Sequence, residues 1–235
     1  MSPSAPDVAV VREHYDDVAE RYDRTTARSH YYHAALKRSL REVVPPGSRV
    51  LDVGCATGEM LACVDPAEGV GVDLSGAMVD RARAKFPHLR FVAGDILDGA
   101  GGIDETFEVV MSVNLMEHVA DVRRVMAAKA ARVEPGGILL AITPHPLWAL
   151  PIFVADRLNL KVPEGDHKWC SRRDLVGAGQ AAGLRLRSFD RDFVVPREMP
   201  VLTTVNTAPW ARPVRELLGV IQRAVFERPR PARTA

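Results

Sequence analysis

The chain has 235 residues, 47% hydrophobic and 26% charged, which suits one folded domain with a buried core and an elaborated cap. Its formal net charge of +1 argues against broad electrostatic attraction to nucleic acid, so no nucleic-acid partner is expected. Three cysteines without close spacing argue against a disulfide framework, and no apolar run approaches the roughly 20 residues of a membrane span, so we expect a soluble cytoplasmic protein.

Hydrophobic periodicity divides the chain into helices and strands that alternate through its middle. Helical patterns cover residues 8–24, 31–44, 60–64, 77–86, 121–133, 172–182 and 213–226. Strand patterns cover residues 49–53, 70–73, 89–93, 107–113, 138–143 and 184–194. The run at 107–113 is almost continuously apolar, which is typical of a strand buried on both faces. This alternation predicts an α/β fold, a Rossmann-like, doubly wound and mostly parallel sheet.

A glycine loop follows the first predicted strand. Gly54 and Gly58 lie between that strand and the next helix, where glycine lets the backbone turn sharply and approach a ligand. The N–H groups at the start of a helix favour an anionic group such as a carboxylate or phosphate. Asp73 ends the next strand, 21 residues after Asp52, and an acid there can accept hydrogen bonds from both ribose hydroxyls. The segment therefore predicts a nucleotide-type cofactor.

The spacing of the loop discriminates between two cofactor classes. A dinucleotide fingerprint needs G-x-G-x-x-G, whereas this loop has G-x-x-x-G with Ala56 inside it. Asp52 stands directly before the loop, where its charge would repel a pyrophosphate and attract a sulfonium or ammonium group. The residues thus favour S-adenosylmethionine (SAM), and an NAD-dependent oxidoreductase remains a less favoured alternative.

The ordered motifs resemble those of class I SAM-dependent methyltransferases, particularly the small-molecule type of the ubiquinone and menaquinone pathways. The similarity covers residues 44–143, and the helices before it are also typical of that family. The matching segments are 52–58, 71–75 with Met78, 94–96, 112–119 and 135–137. The resemblance implies an enzyme that uses SAM and releases S-adenosylhomocysteine (SAH).

By the same resemblance, the positions that match the family's motifs are expected to contact the cofactor. The glycine loop should pass the methionine part of SAM, Asp73 should hold the ribose, and Asn114 should border the methionine amino group. Leu74 and Met78 should pack on the adenine ring, and Asp95 and Ile96 should fix its edge. Two tyrosines of the first helix could close over the sulfonium. The expected cofactor residues are Asp52, Gly54, Cys55, Ala56, Gly58, Asp73, Leu74, Met78, Asp95, Ile96, Asn114, Tyr15 and Tyr22.

Methyl transfer to a hydroxyl requires alignment, exclusion of water and removal of a proton. Histidine is the first choice for that base near neutral pH. His145 follows the fifth strand at the sheet edge where ligands bind, and His167 lies in the following insertion, so we expect one of them to act. His118 lies just past the end of the fourth strand, where a capping or orienting role is as consistent with the sequence as a catalytic one. No carboxylate pair indicates a metal site.

These motifs also order the chain into regions of one SAM-dependent methyltransferase domain, residues 1–235. Residues 1–44 should form an N-terminal helical cap and residues 45–143 the SAM-binding core. Residues 144–170 should form a lid insertion, and residues 171–235 the C-terminal part of the sheet and a helix.

The acceptor is expected to be a small hydrophobic or aromatic molecule, because the insertion is rich in apolar side chains. O-methylation of a phenolic, polyketide-like or quinone- or lipid-like metabolite is the leading interpretation. A SAM-binding protein that does not methylate, such as a cyclase or regulatory subunit, and a macromolecular methyltransferase remain alternatives. Peripheral membrane contact through the basic C-terminal helix also stays open, as does the oligomeric state.

Overall fold

A computed structural model describes residues 8–99, 101–151, 154, 169–195 and 202–231. Its strands are β1 (Arg49–Val53), β2 (Glu68–Asp73), β3 (Arg90–Ala93), β4 (Phe107–Val113), β5 (Val133–Pro144), β6 (Arg185–Asp192) and β7 (Ile221–Glu227). Its α-helices are α1 (Val8–Thr26), α2 (His30–Arg41), α3 (Glu59–Cys63), α4 (Gly76–Lys85), α5 (Val122–Ala131), α6 (Arg172–Ala181) and α7 (Arg212–Leu218). None of the helices in these ranges is long and apolar enough to cross a membrane.

The strands form one seven-stranded sheet in the order β3-β2-β1-β4-β5-β7-β6. Strands β1 to β5 pair in parallel, and β7 pairs antiparallel with both β5 and β6. Successive strand residues enter opposite core layers: Leu51 and Val110 pack on one face, and Val50 and Met111 on the other. The predicted Rossmann-like, mostly parallel sheet is confirmed. Its strand order reverses between β1 and β4, where such folds bind ligands at the carboxyl ends of the strands.

The prediction of one helix over residues 213–226 is wrong. Helix α7 ends at Leu218, Gly219 adopts an extended backbone, and the chain continues as strand β7. Leu217 of α7 is 65% exposed, whereas Ile221 and Val225 are buried in the sheet. Strand β7 gains a hydrogen-bonded neighbour on each edge, and this pairing outweighs the local helical periodicity. Helix α7 is therefore a seven-residue helix and not a long amphipathic one.

Helix α6 packs against β7 through a glycine. A Cβ atom on Gly179 would lie 2.4 Å from the ring of Phe226, a side chain with no solvent exposure. Two residues earlier on the same helix, a Cβ atom on Gly177 would meet nothing within 4 Å. The helix therefore approaches the sheet closely only because position 179 carries no side chain.

We expect Gly179→Ala to lower the free energy of unfolding by about 1–3 kcal/mol, because the buried ring of Phe226 must shift. The matched variant Gly177→Ala should raise it by about 0.4–1 kcal/mol, since alanine restricts the unfolded chain and suits a helix. Urea unfolding of both variants and the wild type measures the two changes. Equal effects at both positions would contradict the packing of α6 on β7.

Candidate cofactor and acceptor site

A cavity of about 340 Å³ opens at the carboxyl ends of β1, β2 and β4. Its walls come from the glycine loop, the loops after β2, β3 and β4, and helices α1 and α2. All but two of the predicted cofactor residues line it. Gly58 instead turns the chain into α3, and Met78 is fully buried against Val18 and Ala19 of α1, so an adenine contact for Met78 stays a prediction.

The glycine loop bends around the end of β2. The backbone N–H groups of Gly54 and Cys55 both donate to the carbonyl oxygen of Val72, at 2.8 and 3.1 Å. Gly54 has φ +78°, and a Cβ atom there would lie 3.0 Å from the side chain of Leu115. Ala56 adopts the left-handed region as well, with φ +44°. Glycine at position 54 thus permits both the turn and the close approach of the loop after β4.

The carboxylate of Asp73 is oriented by backbone groups. Its Oδ2 accepts from the N–H of Ala56 at 2.8 Å, and its Oδ1 accepts from the N–H of Ser75 at 3.0 Å. Burial raises the pKa of Asp73, and these two backbone donors oppose that rise. Each oxygen keeps a further acceptor site, so the fixed carboxylate can receive two ribose hydroxyls.

Asp52 brings an uncompensated carboxyl group to the cavity wall. It is 1% exposed, and neither of its oxygens has a hydrogen-bond partner among the described residues. The pKa of Asp52 is raised to about 7, mainly by burial and in addition by the nearby charge of Asp73, while Lys129 opposes the rise. A cationic ligand beside this group would supply the missing positive charge, so the residues present fit SAM with its sulfonium and ammonium.

Lys129 is a buried charged residue that the sequence interpretation missed. It lies on α5 with no solvent exposure, and its ammonium group donates to the hydroxyl of Ser112 on β4 at 2.5 Å. Burial lowers the pKa of Lys129 to about 7, against an opposing effect of Asp52. The sequence feature that could have indicated this buried lysine is its position in the otherwise apolar second half of α5.

Aromatic side chains from α1 and α2 face the loop after β4 across the cavity. The hydroxyl of Tyr15 lies 3.2 Å from Nε2 of His118, and their rings meet edge to face at 5.8 Å. Tyr32 donates to Oδ1 of Asn114 at 3.3 Å. His33 lines the same cavity. The sequence interpretation gave no site role to Tyr32, although the run of ring side chains at 31–33 was visible in the sequence.

The structure describes one of the two histidines that the sequence favoured as the base, His145, and not the other, His167. His145 is not among the described residues that line the cavity, and its backbone N–H donates to Val220 beside β7. Its Nδ1 is buried without a partner in the described part of the chain, and burial lowers the pKa of His145. His167 lies outside the described residues. Among the described residues, two histidines line the cavity: His118 in the loop after β4 and His33 on α2.

Comparison with known proteins gives one family and several relatives. A family model described as "Methyltransferase domain" matches residues 25–188. The chain is 33% identical over 137 residues to a ubiquinone biosynthesis O-methyltransferase of Nitrobacter winogradskyi, covering 52% of this chain and 50% of that protein. The chain thus spans about half the length of that curated relative.

Two solved structures share the fold. A putative methyltransferase in complex with the Haloferax volcanii Trm112 methyltransferase activator has a TM-score of 0.70 at 21% identity, covering 92% of this chain and 97% of that one. The magnesium protoporphyrin IX methyltransferase from Synechocystis PCC 6803, with bound SAH, has a TM-score of 0.65 at 13% identity, covering 95% and 100%. At these identities the likeness shows the fold alone.

We expect Asp73→Asn to weaken SAH binding by at least about 100-fold, because the amide has no charge and only one acceptor oxygen for the ribose hydroxyls and the two backbone N–H donors. Asp98→Asn, an exposed carboxylate in the loop after β3, serves as the matched control and should bind as the wild type does. Calorimetric titration with SAM and SAH measures both variants. Unchanged affinity in a folded Asp73→Asn protein would refute the assigned cofactor position.

Asp52→Asn should stabilise the free protein, because it removes a buried carboxylate that has no hydrogen-bond partner among the described residues. It should weaken SAM binding, because the negative charge opposite the cofactor's cationic groups is lost. The folded pKa of about 7 exceeds the ordinary value of 3.8, so stability falls as the pH rises between these values and is level above the folded pKa. The stability gained by the variant should therefore grow from about pH 4 to 7, by at most about 1.4 kcal/mol per pH unit, and then stay constant.

Urea unfolding of wild type and Asp52→Asn at several pH values, with SAM titrations at pH 8, tests this behaviour. A pH-independent stability difference between the two proteins would mean that Asp52 is not the group whose pKa is raised.

Proposed function

The chain belongs to the class I SAM-dependent methyltransferases, and we propose that it methylates an oxygen of a small, largely apolar organic acceptor. When bound, SAM supplies a methyl group on a positively charged sulfur, already activated for displacement. The chain itself must hold the acceptor in line, exclude water and take up the proton that the acceptor oxygen releases.

The acceptor class is supported by the cavity walls that the cofactor motifs do not use. Val11 of α1, Tyr32 and Leu36 of α2 and Met60 of α3 line this part of the cavity. Aliphatic and aromatic walls with a few polar groups suit a flat, hydroxylated apolar molecule. We therefore favour a phenolic, polyketide-like or quinone- or lipid-like metabolite, and the similarity to ubiquinone biosynthesis O-methyltransferases supports an oxygen acceptor.

The observation that carries the mechanism is the contact between Tyr15 and His118. Both side chains line the cavity, and the Tyr15 hydroxyl lies 3.2 Å from Nε2 of His118. A donating Tyr15 hydroxyl leaves Nε2 unprotonated, which is the form that a general base requires. In our proposal the acceptor hydroxyl takes the place of the tyrosine hydroxyl at Nε2, and His118 receives its proton as the oxygen is methylated.

The same proposal places the enzyme in the cytoplasm. Cys55, Cys63 and Cys170 are all free thiols in the fold, which suits a reducing compartment.

We expect His118→Ala to lower kcat for a hydroxyl acceptor by about 10²–10⁴-fold, because the general base is lost. SAH affinity should change little, since the cofactor contacts remain. A screen of phenolic and quinone-like compounds with the wild type supplies the acceptor, and steady-state kinetics then compare the variants. The exposed histidine variant His88→Ala is the control and should keep full turnover.

His145→Ala belongs in the same series, because the sequence pattern favoured that residue. Loss of turnover in His145→Ala with retention in His118→Ala would overturn the assignment of the base. SAM binding without methylation of any screened hydroxyl compound would instead favour the non-methylating or macromolecular alternatives.

A further inference from the structure

Helix α1 lies across the cofactor cavity with little buried surface of its own. Val18 and Ala19 are its only buried residues in the described helix, and both pack against Met78 of α4. Partly buried Tyr15 and Tyr22 complete this small cluster. A helix held by so few apolar contacts belongs to the part of a fold that opens easily. Polar contacts on either side of the buried pair Val18 and Ala19 therefore contribute to how firmly the helix covers the cavity.

The first polar contact joins α1 to the start of α4. Oδ1 of Asp16 accepts from the hydroxyl of Ser75 at 2.5 Å and from the backbone N–H of Ala77 at 3.2 Å. Ser75 is the N-cap of α4, and its hydroxyl in turn accepts from the N–H of Met78. The negative charge of Asp16 thus lies at the positive end of a ten-residue helix, where it is favourable.

The second polar contact joins α1 to the glycine loop. Oδ1 of Asp23 accepts from the hydroxyl of Thr57 at 2.7 Å and from the ammonium of Lys85 at 3.1 Å. Thr57 is 1% exposed and lies between Ala56 and Gly58. The two carboxylates stand seven positions apart on α1, on either side of the buried pair Val18 and Ala19.

Both contacts end on the loops that orient the ribose-binding carboxylate. The backbone N–H groups of Ser75 and Ala56 donate to the two oxygens of Asp73. Asp16 accepts from the hydroxyl of Ser75 itself. Asp23 accepts from the hydroxyl of Thr57, the residue after Ala56. When α1 is closed, its position is therefore coupled to the geometry of the cofactor site.

We propose that Asp16 and Asp23 are positioning residues that clasp α1 over the bound cofactor, so that opening of these two contacts sets the rate of cofactor release. The same clasp holds Tyr15, the neighbour of Asp16, against His118. Only this second consequence rests on the proposed function, because cofactor release does not involve the acceptor.

The test compares Asp16→Asn and Asp23→Asn with Asp17→Asn, which removes an adjacent exposed carboxylate that makes no side-chain hydrogen bond or ion pair in the described fold. The dissociation rate of radiolabelled SAH, chased with unlabelled SAH, should rise about 5- to 30-fold in the first two variants and stay unchanged in the third. The association rate should change much less, so the Kd should rise by nearly the same factor.

Amide hydrogen exchange with SAH bound provides a readout that does not depend on release or activity. Residues 8–26 should exchange faster in Asp16→Asn and Asp23→Asn, with the strands of the sheet unaffected. Asp16→Glu retains the charge and should restore part of the slow release, which a purely structural defect would not show.

Dissociation rates within twofold of Asp17→Asn, or unchanged exchange in residues 8–26, would overturn the clasp. Because the release assay contains no acceptor, failure to find a hydroxylated substrate would count against the proposed function but not against the proposed role of Asp16 and Asp23. Conversely, normal release from Asp16→Asn with an intact dependence of turnover on His118 would refute the clasp alone.

Discussion

The arrangement of the site depends on one buried carboxylate, Asp73, which ties the loop after β1 to the loop after β2. Backbone N–H groups from both loops converge on its two oxygens, so neither loop can move without losing a hydrogen bond to a charged acceptor. Since the loops are joined through a group that can also receive ribose hydroxyls, the site is organised before the cofactor arrives. The same loops provide the contacts of α1 through Ser75 and Thr57.

A second constraint is the charge buried beneath the glycine loop. Asp52 has no hydrogen-bond partner among the described residues, and its raised pKa shows that its ionised form is unfavourable there. Such a group destabilises the fold by itself, but it becomes favourable when a sulfonium and an ammonium lie near it. If SAM binds as the site residues predict, the core is adapted to the charge of its cofactor at a cost to the stability of the free protein.

The acceptor side of the cavity is built from different parts of the chain. The shared motifs provide the cofactor residues, whereas α1 and α2 provide the aromatic walls and the Tyr15 hydroxyl. Family membership consequently fixes the cofactor more firmly than the acceptor. In our proposals α1 has two roles, since it both covers the cofactor and carries the hydroxyl that meets His118.

The sequence alone determined the features that local chemistry requires. The loop at Gly54 needs a left-handed backbone, and parallel strands need long apolar runs, so the glycine loop, the place of Asp73 at the end of β2 and the sheet were predictable. Tertiary structure decided the rest. Residues 221–227 became a strand because β5 and β6 offered partners. His118, and not His145, reached the cavity beside Tyr15, a residue 103 positions away, because such contacts arise only when distant segments pack together.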